Sequence, residues 1–324
     1  MKTTENRVNN RLDTQLYYGI NIWGNYLIIT TLMLCFLNSK AQNVKQVITI
    51  SGAQFTNPLI EKWTNEYSRV NSDITFKFVK SSTKNRPTDL KLTVNPSGKS
   101  DVGINENLVN VGRLAILPVT NEKNTLFTKQ LKNGIKQEEL KNIFLHNEVS
   151  LISDGDKIRK GEPLYTVYTQ TPQSVTVKVL VNHFGLSTTE LNGIVVTGDD
   201  KYLIESVLED STGVTFSNLG LIYDLTNRTP LRGIKIIPIN LDNSGRLNKE
   251  SLIYDNLDHL IIFLESSLNK TIPTEDICLS YNSKNNNPIV TDFVNWVTIS
   301  GQQYNRQFGF LKTVDDKVRA FTQK

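Results

Sequence analysis

Cysteine and histidine are scarce in this chain of 324 residues, with two and three respectively. Cys35 falls inside the apolar N-terminal stretch, so Cys278, in Ile277-Cys278-Leu279, is left without a partner and reads as a small hydrophobe in a strand. No disulfide framework is available. His146, His183 and His259 stand far apart and show no metal-ligand spacing. Neither a G-x-S-x-G elbow nor a G-x-x-x-x-G-K phosphate loop occurs. Residues 240–251 place Asp242, Ser244 and Gly245 as a calcium loop would, but Ser251 stands where the bidentate Glu belongs, so the stretch reads as a turn. Charge of one sign is also lacking. The formal net charge is +4, and Lys2, Arg7, Arg11 and Lys40 lie in the first 41 residues against only Glu5 and Asp13, so the remainder is close to balance. That is no nucleic-acid footprint. These absences leave no enzyme constellation, no cofactor or metal site, and no nucleic-acid partner.

What is present begins with a targeting pattern. Basic residues run to Arg11, no charge occurs from Thr14 to Ser39, and an apolar centre spans Tyr26 to Leu37. Ser39-Lys40-Ala41 offers small residues at a cleavage site, so residues 1–41 read as a signal peptide removed after Ala41, with a periplasmic or extracytoplasmic product. The alternative is an uncleaved anchor over Leu16–Leu37, long enough to span a bilayer. Leu34 before Cys35 does not suit lipoprotein processing.

The mature chain reads as α/β. Val47–Ile50 is a strand, Pro58 opens a helix carrying Leu59, Ile60, Trp63, Tyr67 and Val70 with Asn57 as its cap, and Ile74–Val79 is a second strand. Strand, helix, strand with short connections argues for a parallel sheet. Further strands are expected at Leu114–Val119, Leu164–Tyr168, Val214–Phe216, Leu221–Tyr223, Ile234–Ile239 and Ile277–Tyr281. Helices are expected at Gln137–Phe144, Pro172–Phe184, Asp199–Leu208 and Leu252–Leu268. Near the C-terminus Pro288 opens a helix whose Phe293, Val294, Trp296, Val297 and Ser300 form one buried face, and Gly301 is its natural stop. Three loops precede helices: Gly52–Asn57, Thr169–Pro172 and Gly198-Asp199-Asp200. Unpaired N–H groups at a helix start suit anions without any basic side chain.

The run Phe293-Val294-Asn295-Trp296-Val297, then Gly301-Gln302-Gln303-Tyr304 and Phe308-Gly309-Phe310, resembles the closing helix of the phosphate-binding-protein family, the extracytoplasmic receptors of ABC importers. Ser51-Gly52-Ala53-Gln54-Phe55-Thr56-Asn57-Pro58 followed by Glu61-Lys62-Trp63 is similar to that family's opening loop and helix. The resemblance implies a two-domain α/β fold of the type II periplasmic-binding-protein kind with a ligand cleft between domains. Residues 43–119 and 224–324 would form one domain and 120–223 an inserted second, with Ala115–Asn121 and Gly213–Phe216 as crossovers. It implies a small anionic ligand, phosphate or a related oxyanion, an importer permease as partner, and no enzymatic activity. The site it implies uses Gln54 in place of a ligand-binding Thr, the Phe55 N–H, Ser81 or Ser82, an acidic residue at Asp101 or Glu106, and the third loop with Thr169, Thr171 and Ser174. That third loop, Tyr168–Ser174, carries no Arg where the family has one. A domain of this kind that has lost transport and serves as a cell-envelope interaction or sensing module is the rival reading.

Overall fold

The computed structural model describes residues 45–79, 88–95, 105–145, 165–241, 249–266, 270–284 and 287–314. The apolar N-terminal stretch, Ser39-Lys40-Ala41, Ser81, Ser82, Asp101, His146 and the turn at Asp242 lie outside the described residues.

Strand β1 (Gln46–Ser51) leads through helix α1 (Asn57–Val70) to β2 (Ile74–Phe78), and β1 pairs in parallel with both β2 and β3 (Leu90–Asn95). Here the strand–helix–strand reading holds, with α1 supplying the crossover that parallel neighbours require. Beyond β3 the central pairings become antiparallel, so the sheet is mixed, which corrects the expectation of a parallel sheet. Strand β9 (Thr274–Asn282) lies between β3 and β4 (Glu106–Asn121) and is antiparallel to both. β4 is 16 residues long; past its pairing with β9 it pairs with β7 (Gly213–Asn218) and β8 (Ile234–Ile236). β5 (Thr166–Thr169) runs parallel to β7, and β6 (Ile194–Val195) parallel to β5 at the edge. One nine-stranded mixed sheet results.

The helices covering it are α2 (Thr128–Asn133), α3 (Gln137–Leu145), α4 (Val175–His183), α5 (Lys201–Glu209), the single turn α6 (Leu219–Ile222), α7 (Leu257–Ser266) and α8 (Pro288–Ile299). Leu221–Tyr223 is therefore no strand, because a short apolar run serves a buried helical turn as well as a strand. The expected helix from Leu252 is also corrected. A 3-10 segment, Lys249–Asp255, precedes α7, and the Asn256 side chain accepts from the N–H groups of Asp258 (2.9 Å) and His259 (3.2 Å), which starts a new helix there.

α1 and α8 pack together over β1 and β2. Tyr67 meets Phe293 edge-on at 5.2 Å, and Phe76 meets Phe293 at 4.6 Å. α8 buries Phe293, Val294 and Val297, while Trp296 is half-buried. Gly301 does not end the helical path. The chain continues as a 3-10 helix, Gly301–Phe308, and turns only at Gly309, whose φ is 77°. In the other half of the sheet Phe144 of α3 packs edge-on against Phe216 of β7 at 5.1 Å. Cys278 is buried in β9, as expected of a small hydrophobe. Among the described residues no helix is long and apolar enough to cross a membrane.

Candidate functional site

The first loop is a tight turn. Gly52 is so close to its neighbours that a Cβ there would lie 2.7 Å from Thr56 Oγ1 and 3.3 Å from Leu92 Cβ. Ala53 O accepts both the N–H (2.9 Å) and the hydroxyl (2.6 Å) of Thr56, closing the 3-10 turn Gln54–Thr56. That turn runs directly into α1, whose first residue is Asn57. Asn57 is thus not the cap, and Thr56 before it makes no side-chain cap bond, because its hydroxyl is already committed to Ala53 O. Gln54 is exposed on the turn. Phe55 is half-buried and stacks on Phe310, with centroids 6.3 Å apart and planes at 18°.

The loop from β5 into α4 is equally built. Thr169 is buried in the last position of β5, and its carbonyl accepts from Val196 N–H at 2.7 Å. Gln170 is buried and its Nε2 donates to Asp199 O at 3.2 Å. Thr171 O accepts from Ser174 N–H at 2.9 Å, and Ser174 Oγ accepts from Val177 N–H at 3.2 Å as the N-cap of α4. Thr171 and Ser174 are half-buried and sit on one turn, whereas Thr169 is in the interior. Of the acidic candidates, Glu106 is the exposed first residue of β4, and its Oε2 accepts from Ser280 Oγ at 3.2 Å.

Asp200 carries no signal in the sequence beyond its place before α5. Its Oδ2 accepts from Thr176 Oγ1, in the first turn of α4, at 2.5 Å. Burial pushes the Asp200 carboxyl above its ordinary range, the Thr176 hydroxyl opposes this, and Asp199 adds to it. A group whose pKa is raised by folding stabilises fully below its unfolded value and loses that contribution as pH rises through the folded one. Asp200→Asn should therefore raise stability at pH 7, and the gain should vanish below about pH 4, the ordinary range of an Asp carboxyl. Urea unfolding of both proteins across pH measures this; a gain that persists at low pH contradicts it.

Strand register sets where the two loops lie. Thr166 and Val167 of β5 are level with Gly213 and Val214 of β7, so residues 170 and 171 leave the sheet beside Ser217 and Asn218. Asn218 leads into α6, where Gly220 and Gly309 meet backbone to backbone. Gly309 precedes Phe310, on which Phe55 stacks. The end of β7 thus stands between the loops, which share no hydrogen bond with each other among the described residues. Ser217 Oγ and Asn218 Nδ2 are fully buried and have no hydrogen-bond partner. Among the described residues no group of His, Cys, Asp and Glu is placed to hold a metal ion. His183, half-buried and held below its usual range by burial, bonds Gln137 Oε1 at 2.9 Å, and His259 is exposed.

No protein-family model matches the chain, and no curated protein matches it in sequence. Solved structures do match in fold. A putative phosphate ABC transporter substrate-binding protein from Clostridium perfringens, with bound phosphate, is 12% identical with a TM-score of 0.57, covering 83% of this chain and all of that one (100%). An ABC-type phosphate transport receptor from Vibrio cholerae is 14% identical with a TM-score of 0.54, at 83% and 100% coverage. A possible phosphate binding protein from Planctomyces limnophilus is 14% identical with a TM-score of 0.51, at 86% and 97% coverage. At such identities the likeness concerns architecture: the chain has the mixed α/β fold of periplasmic substrate-binding proteins.

Proposed function

We propose that the chain is an extracytoplasmic solute-binding protein that holds a small oxyanion, phosphate or a relative of it, for an ABC importer. The observation that carries this reading is the pair of helix-opening loops, at α1 and α4, flanking the end of β7 in a fold whose solved examples include a phosphate-bound receptor. Phe55 N–H, Thr171 and Ser174 would supply hydrogen bonds, with Gln54 at the rim and Ser81 or Ser82 contributing from the second loop. Thr169 would act through the loop backbone, and Glu106 or Asp101 would accept the proton of a protonated ligand. On this reading residues 43–119 and 224–324 form one domain and 120–223 an inserted one. The course of β4 out of the first half and of β7 back toward it supports that division. Residues 1–41 serve as the export signal.

The envelope-module reading is favoured by two observations. The third loop has no Arg, and a buried carboxylate, Asp200, already bonds the first turn of α4. Neither feature helps a dianion, whose desolvation a guanidinium fork would offset. Titration calorimetry with phosphate, sulfate and molybdate separates the two readings. Binding of at least one anion below ~1 mM, about 4 kcal/mol of affinity, is expected; no heat from any of them at millimolar concentration sinks the receptor reading in favour of the module.

A further inference from the structure

We propose that the free edge of β8 is a docking site for an extended segment of a partner protein, which adds to the sheet beside Ile234–Ile236 and sets an acidic side chain next to Lys235. The site is separate from the anion loops and does not rest on the oxyanion reading. Among the described strands β8 pairs only with β4. At either end of that pairing Glu122 N–H donates to Gly233 O and Ile237 N–H to Pro118 O, both at 2.9 Å. The alternation of an antiparallel ladder then makes Lys235 the residue that exchanges bonds with Thr120, and it turns the Ile234 carbonyl and the Ile236 N–H away from β4. Neither group has a hydrogen-bond partner among the described residues. Ile236 is buried, and a buried N–H is rarely left unpaired without a reason.

Further along, the same edge is already used. Ile135 N–H donates to Pro238 O at 2.7 Å and its carbonyl accepts from Asn240 N–H at 2.8 Å, a single parallel bridge to Ile239. The Ile234 carbonyl and the Ile236 N–H offer the same arrangement earlier on the edge, where the chain cannot fill it. A strand continued backward from Ile135 would bring Leu131 there, but Leu131 lies in α2 with its N–H bonded to Phe127 O. What remains is a groove of about 410 Å³ walled by Leu131, Tyr254 and β8, with no residue of β4 in its lining, so it opens on the free side of the strand. Such a groove along an open edge suits strand addition. Charge then selects the occupant. Ile234 and Ile236 are buried, so Lys235 points to the opposite face, where it is exposed. An incoming residue paired with Lys235 lies on that exposed face, where an acidic side chain makes an opposite-charge cross-strand pair, and its apolar neighbours turn inward with Ile234 and Ile236. Asp255 also lines the groove, so an acidic run is disfavoured and one acid between apolar residues is the pattern that fits.

The test uses the whole chain, isotope-labelled for amide NMR, and two capped peptides: Thr-Val-Glu-Val-Thr and the same sequence with Lys at its centre. The acidic peptide should bind at or below millimolar concentration and shift the Ile236 amide resonance, and the basic one should bind about tenfold more weakly. Lys235→Glu should reverse that preference. Ile236→Pro removes the outward N–H and spares the β4 ladder, because proline is accepted where a strand N–H faces away from its neighbour, and it should abolish binding of both peptides. If the proline variant does not fold, the charge reversal decides, since Lys235 is exposed and its replacement leaves the core intact. No binding of the acidic peptide to the wild type at millimolar concentration overturns the proposal. So does an unshifted Ile236 amide, an unchanged peptide preference in Lys235→Glu, or wild-type binding by a folded Ile236→Pro.

Discussion

Trp63→Ala should destabilise the protein by about 3–5 kcal/mol, the scale of deleting a fully buried large aromatic. Trp63 is 0% exposed on the inner face of α1, and its Nε1 donates to Gly301 O at 3.0 Å. Gly301 is matched to it: a Cβ there would lie 3.2 Å from Trp63 Cδ1 and Nε1. The indole thus joins the first helix to the 3-10 segment after the last one, across 238 positions of sequence. Truncation leaves a cavity between them and strips a buried carbonyl of its donor. Trp63→Phe, which keeps most of the apolar area but loses that bond, should cost closer to 1 kcal/mol. Urea unfolding monitored by far-UV circular dichroism gives both values. Equal losses in the two variants would show that the hydrogen bond, and not the packing, dominates. Against a typical total of about 5–15 kcal/mol, the alanine variant gives up a large share of the margin.

Gly309→Ala should cost roughly 2–5 kcal/mol, from the left-handed backbone and from overpacking together. Gly309 has φ 77°, and a Cβ on it would lie 2.6 Å from Gly220 N and 2.9 Å from Gly220 Cα. These are backbone atoms, so no side-chain rotation relieves the clash. The reciprocal change is also tight, since a Cβ on Gly220 would come within 2.6 Å of Phe308 O. Separating α6 from the Gly309 turn moves Phe310, on which Phe55 rests, so anion binding should weaken along with stability. Gly309→Asn discriminates the two contributions: Asn tolerates the left-handed region, yet it brings the same Cβ. If Asn restores most of the stability, the backbone angle and not the contact with Gly220 is the cause.

The spacing of Phe293, Val294 and Val297 placed the buried face of α8, and Pro288 its start, because helical periodicity and the loss of one N–H are local properties. Where that helix gives way was half legible. Gly301 reads as a stop on composition, yet its role is to admit Trp63, and the left-handed turn falls at Gly309. The alternation Leu90-Lys91-Leu92 is too short to mark a strand locally, because β3 is secured by pairing with β9, nearly 190 positions later, roughly the register separation of Lys91 and Ser280. For the same reason a parallel sheet is what the first strand, helix and strand suggest, whereas the antiparallel pairings of β9 with β3 and β4, and of β4 with β7 and β8, depend on strands that meet only in the folded chain.

By itself the sequence determined the α/β class, the helix-opening loops around Phe55 and after Thr169, and the absence of an Arg in the third loop, all of which rest on residue type and local spacing; it placed the second of those helices at Pro172, and only the structure makes Ser174 its cap. Tertiary structure alone decided that Thr169 faces inward while Thr171 and Ser174 share a turn, that Asp200 is buried against the start of α4, and that the Asn218 amide has no partner. Burial and hydrogen-bond satisfaction belong to groups brought together from distant positions, and no local pattern of side chains encodes them.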